Sequence, residues 1–423
     1  MTAAAVEEPI AVTGIGLVLP GADDVGRFWG HLREGRSQLG GLTRFDPAEE
    51  GLSVRVGGAI TDFDHRRYLP DLAPRHASKY STEILAGMSA TTLALRDADL
   101  REGDVDPRRL SVIESSSRGG LQWWVTEGAD RHGQDGLGSG AMFRGLPASA
   151  ASLAAIHLGA RGLVTTLSSA CVGGHHAVGL ALRELRSGAS DAVLVGGHEF
   201  PLVPPVLRSF EALGLGVLST ERDEPGRAVR PYSRDRNGMV LGEGALALCL
   251  ERASTARERG ARQYAHVLEH RAMNEAGHAT SMNLTGKPTA ELITEVVEAA
   301  GRRLEDVGYY CGHGTATHHN DLAECRSIRL LYPGREPAEL PPLGSNKPIF
   351  GHTLGMSGIV NIAATSLMLA HQELAPTINL DEVDPECDQD HVTAARAAEF
   401  DLAVSLSFAI GSQVSVVALG AAR

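Results

Sequence analysis

The sequence predicts an α/β protein, because strand-like apolar runs alternate with helically spaced ones along almost the whole chain. Its clearest unit runs strand (164–168), turn (169–173), helix (174–186), strand (192–196), a βαβ arrangement whose sharp turn carries Cys171. A second observation is size: 423 residues, 43% hydrophobic and 22% charged, make a globular chain of two ordinary domains or one two-lobed one. A third is the contrast of 49 glycines with 4% aromatics, which calls for many tight turns and close backbone approaches.

Taken in order, residues 9–20 form a buried strand ending in a glycine turn, and 23–34 has helical spacing. Residues 82–100 are a helix rich in Ala and Leu, and 110–114 a short strand. Residues 115–145 read as Gly-rich and irregular, with Trp123 and Trp124 embedded, before a helical pattern returns at 147–160. Beyond the βαβ unit, 245–251 is an apolar strand, and the polar, basic stretch 254–260 separates a first half, 1–255, from a second, 256–423. The second half runs strand (265–272), helix (289–301), a strand ending near His313, a helix from Asp321, then the stretch 343–347, a helix from Leu354 and two strand-like runs at 401–408 and 413–419. Duplication would account for two such series, but their sequences are too far apart to establish it.

The formal net charge of −13 disfavours nucleic-acid binding, which needs a basic stripe, yet leaves room for a local basic patch. The five cysteines (Cys171, Cys249, Cys311, Cys325 and Cys387) are widely spaced, odd in number and without CxxC pairs. That argues against structural zinc and a disulfide framework, and for a reducing compartment. The N-terminal run has no basic segment followed by an apolar one, and no apolar run is expected to reach the roughly 18 residues of a membrane span. A cytoplasmic protein without nucleic-acid or membrane partners is expected.

Three segments carry chemistry. Cys171 lies in Leu-Ser-Ser-Ala-Cys-Val-Gly-Gly-His-His, at the start of a helix whose unsatisfied N–H groups and dipole favour a thiolate. The small residues Ser168, Ser169, Ala170, Gly173 and Gly174 suit a tight turn that exposes the sulfur, the logic of a nucleophile elbow. The competing reading is a buried structural cysteine. His313 stands between two glycines at a strand end, with backbone room for a ligand; alone, such a histidine is more often a hydrogen-bonded structural one. His318, His319 and Asp321 have metal-ligand chemistry, but adjacent histidines on a loop read as solvent-exposed, and no metal is expected. His352 follows Gly351 and precedes an apolar helix, with Lys347 five residues upstream.

Together these segments resemble the β-ketoacyl synthases of fatty-acid and polyketide assembly, specifically the elongating Cys-His-His class of type II systems. That family shows a small-residue turn with its cysteine, then His-Gly-Thr-x-Thr-x-x-x-Asp-x-x-Glu, then Lys-x-x-x-Gly-His-x-x-Gly. Here these read Ser169-Ala170-Cys171, then His313-Gly314-Thr315-Ala316-Thr317 with Asp321 and Glu324, then Lys347 with Gly351-His352 and Gly355. Val12-Thr13-Gly14-Ile15-Gly16, Ala212 to Thr220, and Pro231-Tyr232-Ser233-Arg234-Asp235-Arg236-Asn237-Gly238 through Ala245 extend the likeness over nearly the whole chain.

The resemblance implies a thiolase-like fold of five αβαβα layers with two similar halves, and a homodimer or a heterodimer with a related subunit. It implies that Cys171 takes an acyl chain from a carrier-protein thioester, and that a malonyl thioester then loses carbon dioxide. His313 and His352 would hydrogen-bond the thioester carbonyl and its enolate. The enolate would attack the acyl-Cys171 to give a 3-oxoacyl product. By the same likeness, the N–H groups of Cys171 and Ile410 form the oxyanion hole, and Lys347 and Glu324 orient the histidines. Thr315 and Thr317 meet the malonyl carboxylate, and Phe408 and Ile410 border the substrate. No cofactor is implied beyond the carrier's phosphopantetheine.

The family's C-terminal Gly-Phe-Gly-Gly-Thr-Asn is here Ala409-Ile410-Gly411-Ser412-Gln413-Val414. Ile410 takes the gating phenylalanine's place, which implies a differently shaped acyl entrance and points to specialised metabolism. Arg66, Arg67, Arg75 and Lys79 form a basic cluster that would dock an acidic acyl carrier protein or, equally, be a solvated face of internal ion pairs. A non-catalytic chain-length subunit is the first alternative; the intact Cys171, His313 and His352 argue against it. Acyl transfer without decarboxylation is the second. A thiolase proper would need a second cysteine near the C-terminus, and Cys387 lacks that context.

Overall fold

A ten-stranded sheet system organises the chain in the computed structural model, which describes residues 7–128 and 140–422. Residues 1–6, on which the absence of a leader was partly read, lie outside the described residues, as do 129–139 of the stretch read as irregular, and Arg423. The strands are β1 (Ile10–Val18), β2 (Leu110–Ser115), β3 (Val164–Leu167), β4 (Ala192–Glu199), β5 (Gly244–Arg252), β6 (Ala265–Asn274), β7 (Val307–Cys311), β8 (Leu343–Gly344), β9 (Leu402–Ala409) and β10 (Gln413–Gly420).

Their spatial order is β8-β7-β9-β10-β6-β1-β5-β4-β2-β3. The five strands of the first series stand as β3-β2-β4-β5-β1 and those of the second as β8-β7-β9-β10-β6, the same order counted from each series' first strand. Orientations match too: β2 is parallel to β3 and β4, as β7 is to β8 and β9, while β5 and β10 run antiparallel to their neighbours. The repeat that sequence divergence hides is therefore present in the topology. The two series meet where Ile10, Ala11 and Val12 of β1 pair with Val267, His266 and Ala265 of β6.

Helices complete five layers. Helices α1 (Thr82–Asp97) and α2 (Ser149–Leu158) cover the outer face of the first series through Ala86, Ala90, Ala94, Ala151 and Ala155. Between the two sheets lie α3 (Gly173–Arg186) and α6 (Ser357–His371), whose Ala177, Val178, Ala181, Ile359, Ile362 and Ala363 enter the largest core cluster. Helices α4 (Lys287–Ala299) and α5 (His318–Leu331) cover the far face. Small residues let the middle helices approach: a Cβ on Gly174 would sit 2.8 Å from the Ile359 nitrogen, and one on Gly358 2.7 Å from the His175 ring.

Several expectations are adjusted. The polar stretch 254–260, read as the boundary between the halves, is mostly a short helix, Ala253–Glu258. The stretch 115–145 contains helical turns at Leu121–Trp123, Trp124–Gly128 and Ala141–Gly145. The amphipathic helix Pro204–Glu211, which buries Val206, Leu207 and Phe210, is an element that the sequence reading did not separate out. An apolar helical run does reach span length: Leu354–His371 has 18 residues at a mean hydropathy of 1.3. It is 89% buried between the sheets, so it serves as a core helix.

Candidate active site

The carboxyl ends of β3, β7, β8 and β9 converge on one centre, where strand ends of open α/β sheets place ligands. Cys171 sits in the turn after β3, ahead of the Val172 cap of α3. Ala170 holds a left-handed conformation there, with φ +46°, which turns the chain sharply and leaves Cys171 half-buried. The Ser407 hydroxyl of β9 donates to the Cys171 carbonyl at 2.9 Å and ties the turn across to the second series. The other four cysteines are buried, and none of them reaches the site's cavity.

Opposite the sulfur stand His313, after β7, and His352, in the loop between β8 and α6. His352 Nε2 is 3.1 Å from Cys171 Sγ. The two imidazole rings meet edge to face with centroids 5.1 Å apart. The donor atoms of Cys171, His313 and His352 all lie within 4.8 Å of one another, the one such cluster of potential ligand groups among the described residues.

Glycines at the hinges make this packing possible. Gly314 has φ +43°, and a Cβ there would lie 2.5 Å from Ser345 and 2.7 Å from the Tyr232 hydroxyl. A Cβ on Gly355 would lie 2.7 Å from a Glu199 oxygen.

The backbone of His313 is gripped from both sides. Glu324 accepts from the His313 N–H at 2.5 Å, the Gly314 N–H at 3.0 Å and the Tyr232 hydroxyl at 2.9 Å. Lys347 Nζ donates to the His313 carbonyl. The expectation that Lys347 and Glu324 orient both histidines is thus corrected: both hold the main chain at His313, and neither bonds the His352 ring. His352 is placed instead by its own N–H, which donates to the Val240 carbonyl at 2.7 Å.

Burial sets the protonation states. It pushes the Cys171 thiol up to about 12, against the pull of the nearby Lys347 charge. Burial first and Lys347 second hold both His313 and His352 well below the usual histidine value. Burial also lowers Lys347, with Glu324 opposing, and raises Glu324 to about 7, assisted by Asp321. The resting pair is consequently a neutral thiol facing a neutral imidazole. Among the described residues no group bonds the buried Nδ1 of His313 or His352, so neither tautomer is locked through that atom. His352 Nε2 can therefore accept a proton from the thiol or, protonated, donate to an oxygen.

The cluster forms the floor of a cavity of about 500 Å³ lined in part by Phe210, Met239, Thr315, Thr317, Phe408 and Ile410. The Thr315 and Thr317 hydroxyls are 2.8 Å apart. Phe408 is 4% exposed with its ring 6.1 Å from that of His313, whereas Ile410 is 47% exposed in the turn between β9 and β10. Ser412 in that turn holds φ +58° and donates to the His278 carbonyl at 2.7 Å.

His318 and His319 are exposed in the first turn of α5, not on a loop, and border the same cavity. The basic cluster lies elsewhere: none of its four residues lines the cavity. Arg66 pairs with Asp64 and Arg67 with Asp62, while Arg75 and Lys79 are exposed.

Sequence reasoning gave no role to Tyr232, which braces Glu324, or to Glu199, which accepts from Gly355 N–H at 3.1 Å and from the Ser117 hydroxyl at 2.6 Å. Tyr232 lay inside a quoted motif and was findable there; Glu199 had no local signal.

A thiol and two imidazoles at the strand ends of a duplicated five-layer α/β fold define a thiol-based acyl-transfer centre of the thiolase-like kind. The sequence matches the β-ketoacyl synthase N-terminal domain over residues 7–256 and the β-ketoacyl synthase C-terminal domain over 264–381. The chain belongs to the β-ketoacyl synthase family.

It is 34% identical to the tetracenomycin polyketide synthase ketoacyl synthase alpha subunit of Streptomyces glaucescens, over 98% of this chain and 97% of that one. It is 32% identical to 3-oxoacyl-[acyl-carrier-protein] synthase 2 of Synechocystis sp., over 95% of each. Among solved structures, it resembles a chain of the complex described as a type II polyketide synthase acyl-carrier protein with its ketosynthase bound to the hexaketide. That match has a TM-score of 0.86 at 29% identity and covers 99% of this chain and 100% of that one.

Proposed function

We propose that this β-ketoacyl synthase joins an acyl group held on Cys171 to a malonyl unit on an acyl carrier protein, with loss of carbon dioxide, in polyketide or related specialised metabolism. The observation that carries this reading is Cys171 Sγ within reach of two histidines, His352 Nε2 at 3.1 Å, all three lining one cavity.

In the first half-reaction Cys171 attacks the acyl thioester carbonyl while its proton passes to His352 Nε2. The bond from acyl carbon to pantetheine sulfur breaks, and the departing thiolate takes that proton away. In the second, the malonyl C–CO₂ bond breaks and its electron pair moves into the thioester as an enolate. Imidazole N–H groups of His313 and His352 stabilise the enolate oxygen. The enolate carbon then attacks the acyl-Cys171 carbonyl, and the Cys171 thiolate is expelled and takes up a proton from solvent to restore the thiol. The N–H groups of Cys171 and Ile410 serve the oxyanion, and Thr315 and Thr317 face the malonyl carboxylate. Glu324 and Lys347 act on His313 through its backbone. The partners are an acyl carrier protein and a second ketosynthase-like subunit, identical or related, and the setting is cytoplasmic.

The altered turn at Ile410 is the one feature that suits a non-catalytic chain-length subunit, and the assembled thiol and histidines argue against that role. Single-turnover assays with an acyl-carrier thioester followed by malonyl-carrier protein test the proposal. Formation of 3-oxoacyl-carrier protein with one carbon dioxide per product supports it. Acyl transfer to water or an amine without carbon dioxide contradicts it.

A further inference from the structure

Residues 116–119 follow β2, whose place in the first series is that of β7 in the second, and the loop after β7 carries His313. The loop after β2 is firmly set. The Ser117 N–H and hydroxyl both donate to Glu199 at the end of β4, and the same oxygen accepts from Gly355 N–H, three residues beyond His352. The Ser115 hydroxyl donates to the Gly355 carbonyl at 2.8 Å, and Gly119 turns with φ +56° while its N–H bonds the Ser116 hydroxyl. Arg118 projects from this turn. Its guanidinium carbon lies 5.7 Å from the centre of the Phe210 ring, and Phe210 shares the cavity with Cys171. Cys171, Phe210, Leu121 and Val125 also belong to one apolar cluster.

Two other cations near the reacting centre are committed. Lys347 holds the His313 carbonyl, and Arg236 pairs with Asp384. Among the described residues no carboxylate lies within ion-pair distance of Arg118, which remains exposed. Its charge nevertheless reaches Cys171, where it favours the thiolate. A guanidinium with no carboxylate partner among the described residues, stacked on the Phe210 ring that lines the cavity, disfavours a plain alkyl chain, which can only desolvate it, and offers a forked donor to a carboxylate.

We propose that Arg118 is a specificity-determining residue that selects acyl donors bearing a carboxylate over alkyl acyl donors of equal length. The inference rests on the acyl-Cys171 reading above. Because the guanidinium is exposed, screening limits the expected preference to about tenfold.

The test measures Cys171 acylation by intact mass at short times, using hexanoyl-pantetheine and its 5-carboxypentanoyl counterpart. The ratio of the two rates cancels any common effect on thiol reactivity. Wild type is expected to favour the carboxylated donor by about tenfold, and the preference should shrink as salt is raised. Arg118→Leu should abolish it, and Arg118→Lys should keep part of it. Arg118→Gln stands in if the leucine variant fails to fold by thermal melting.

A ratio equal in wild type and folded variant overturns the inference. So does a wild-type preference for hexanoyl, or an unchanged ratio accompanied by loss of malonyl turnover or of subunit association. No adduct from either donor on wild type would overturn the proposed function itself, a result distinct from an altered or unaltered ratio.

Discussion

Replacing Lys347 by Met keeps most of the side-chain volume and removes one charge. The side chain is 1% exposed, so the ammonium has no water to fall back on, and its bond to the His313 carbonyl is lost without replacement. Leaving that buried carbonyl unpaired costs about 1–3 kcal/mol. The longer-range attraction of Lys347 to Glu324 and Asp321 is also lost, which adds about 1–2 kcal/mol through an effective dielectric near 20. The three donors on Glu324 compensate in part, so a net loss of about 3 kcal/mol and a fall of roughly 3 °C in Tm are expected for a chain this long. Chemistry should suffer separately. Lys347 pulls the Cys171 thiol down against burial. A single charge acting at several ångströms through an effective dielectric near 20 is worth about 1–2 kcal/mol, or roughly tenfold in acylation rate. Thermal melting and a time course of acyl-adduct mass read the two effects independently. A Lys347→Met protein that melts with wild type and acylates at the wild-type rate would refute the argument that Lys347 anchors His313 and polarises the thiol.

With the thiol raised and the imidazole lowered, wild-type acylation should be nearly flat with pH around neutrality and fall only in acid, once His352 is protonated below its ordinary value. His352→Ala removes the acceptor, so acylation should instead rise about tenfold per pH unit as thiolate forms; a flat profile in that variant would contradict proton transfer to His352. Ile410→Phe narrows the exposed entrance and should shift acyl-chain selectivity in competition assays; unchanged selectivity and rate would remove Ile410 from the gate. Ser412→Gly relieves a left-handed residue at about 1 kcal/mol and loses one hydrogen bond of similar worth, so Tm should hardly move. Hydrogen exchange at 409–414 should nonetheless quicken; unchanged protection would mean the Ser412 hydroxyl does not latch this turn. Ala170→Gly should stabilise by about 1 kcal/mol in urea unfolding, and a destabilised variant would show that the φ of +46° carries no strain.

The alternation of strands and helices was legible because each element buries a face with its own period, and the βαβ unit around Cys171 appears with nearly the boundaries expected. The duplication was not legible. A shared strand order constrains which elements are neighbours, not which apolar residue fills each position, so two series with little common sequence form the same sheet. Within the site, Cys171, His313 and His352 were readable from short motifs, since glycines and small residues must crowd around each. The contacts of Glu324 and Lys347 were not, because both act on main-chain atoms of His313, and a backbone acceptor or donor leaves no trace in residue type. Arg118 and Glu199 were invisible for a different reason: they come from strand ends far apart in sequence and meet the site only through the sheet. The apolar run 354–371 was underestimated because its Ser, Asn and Thr residues interrupt the pattern, yet Ser357, Asn361, Thr365 and Ser366 are all buried in α6.

The account stands most directly on the nucleophile. Wild type and Cys171→Ala, offered an acyl-carrier thioester and then malonyl-carrier protein, can be followed by intact mass. An acyl adduct on the wild type alone, discharged by malonyl-carrier protein into a 3-oxoacyl-carrier product, is the predicted result. An adduct of equal yield on Cys171→Ala, or none on the wild type with any acyl group, would contradict it.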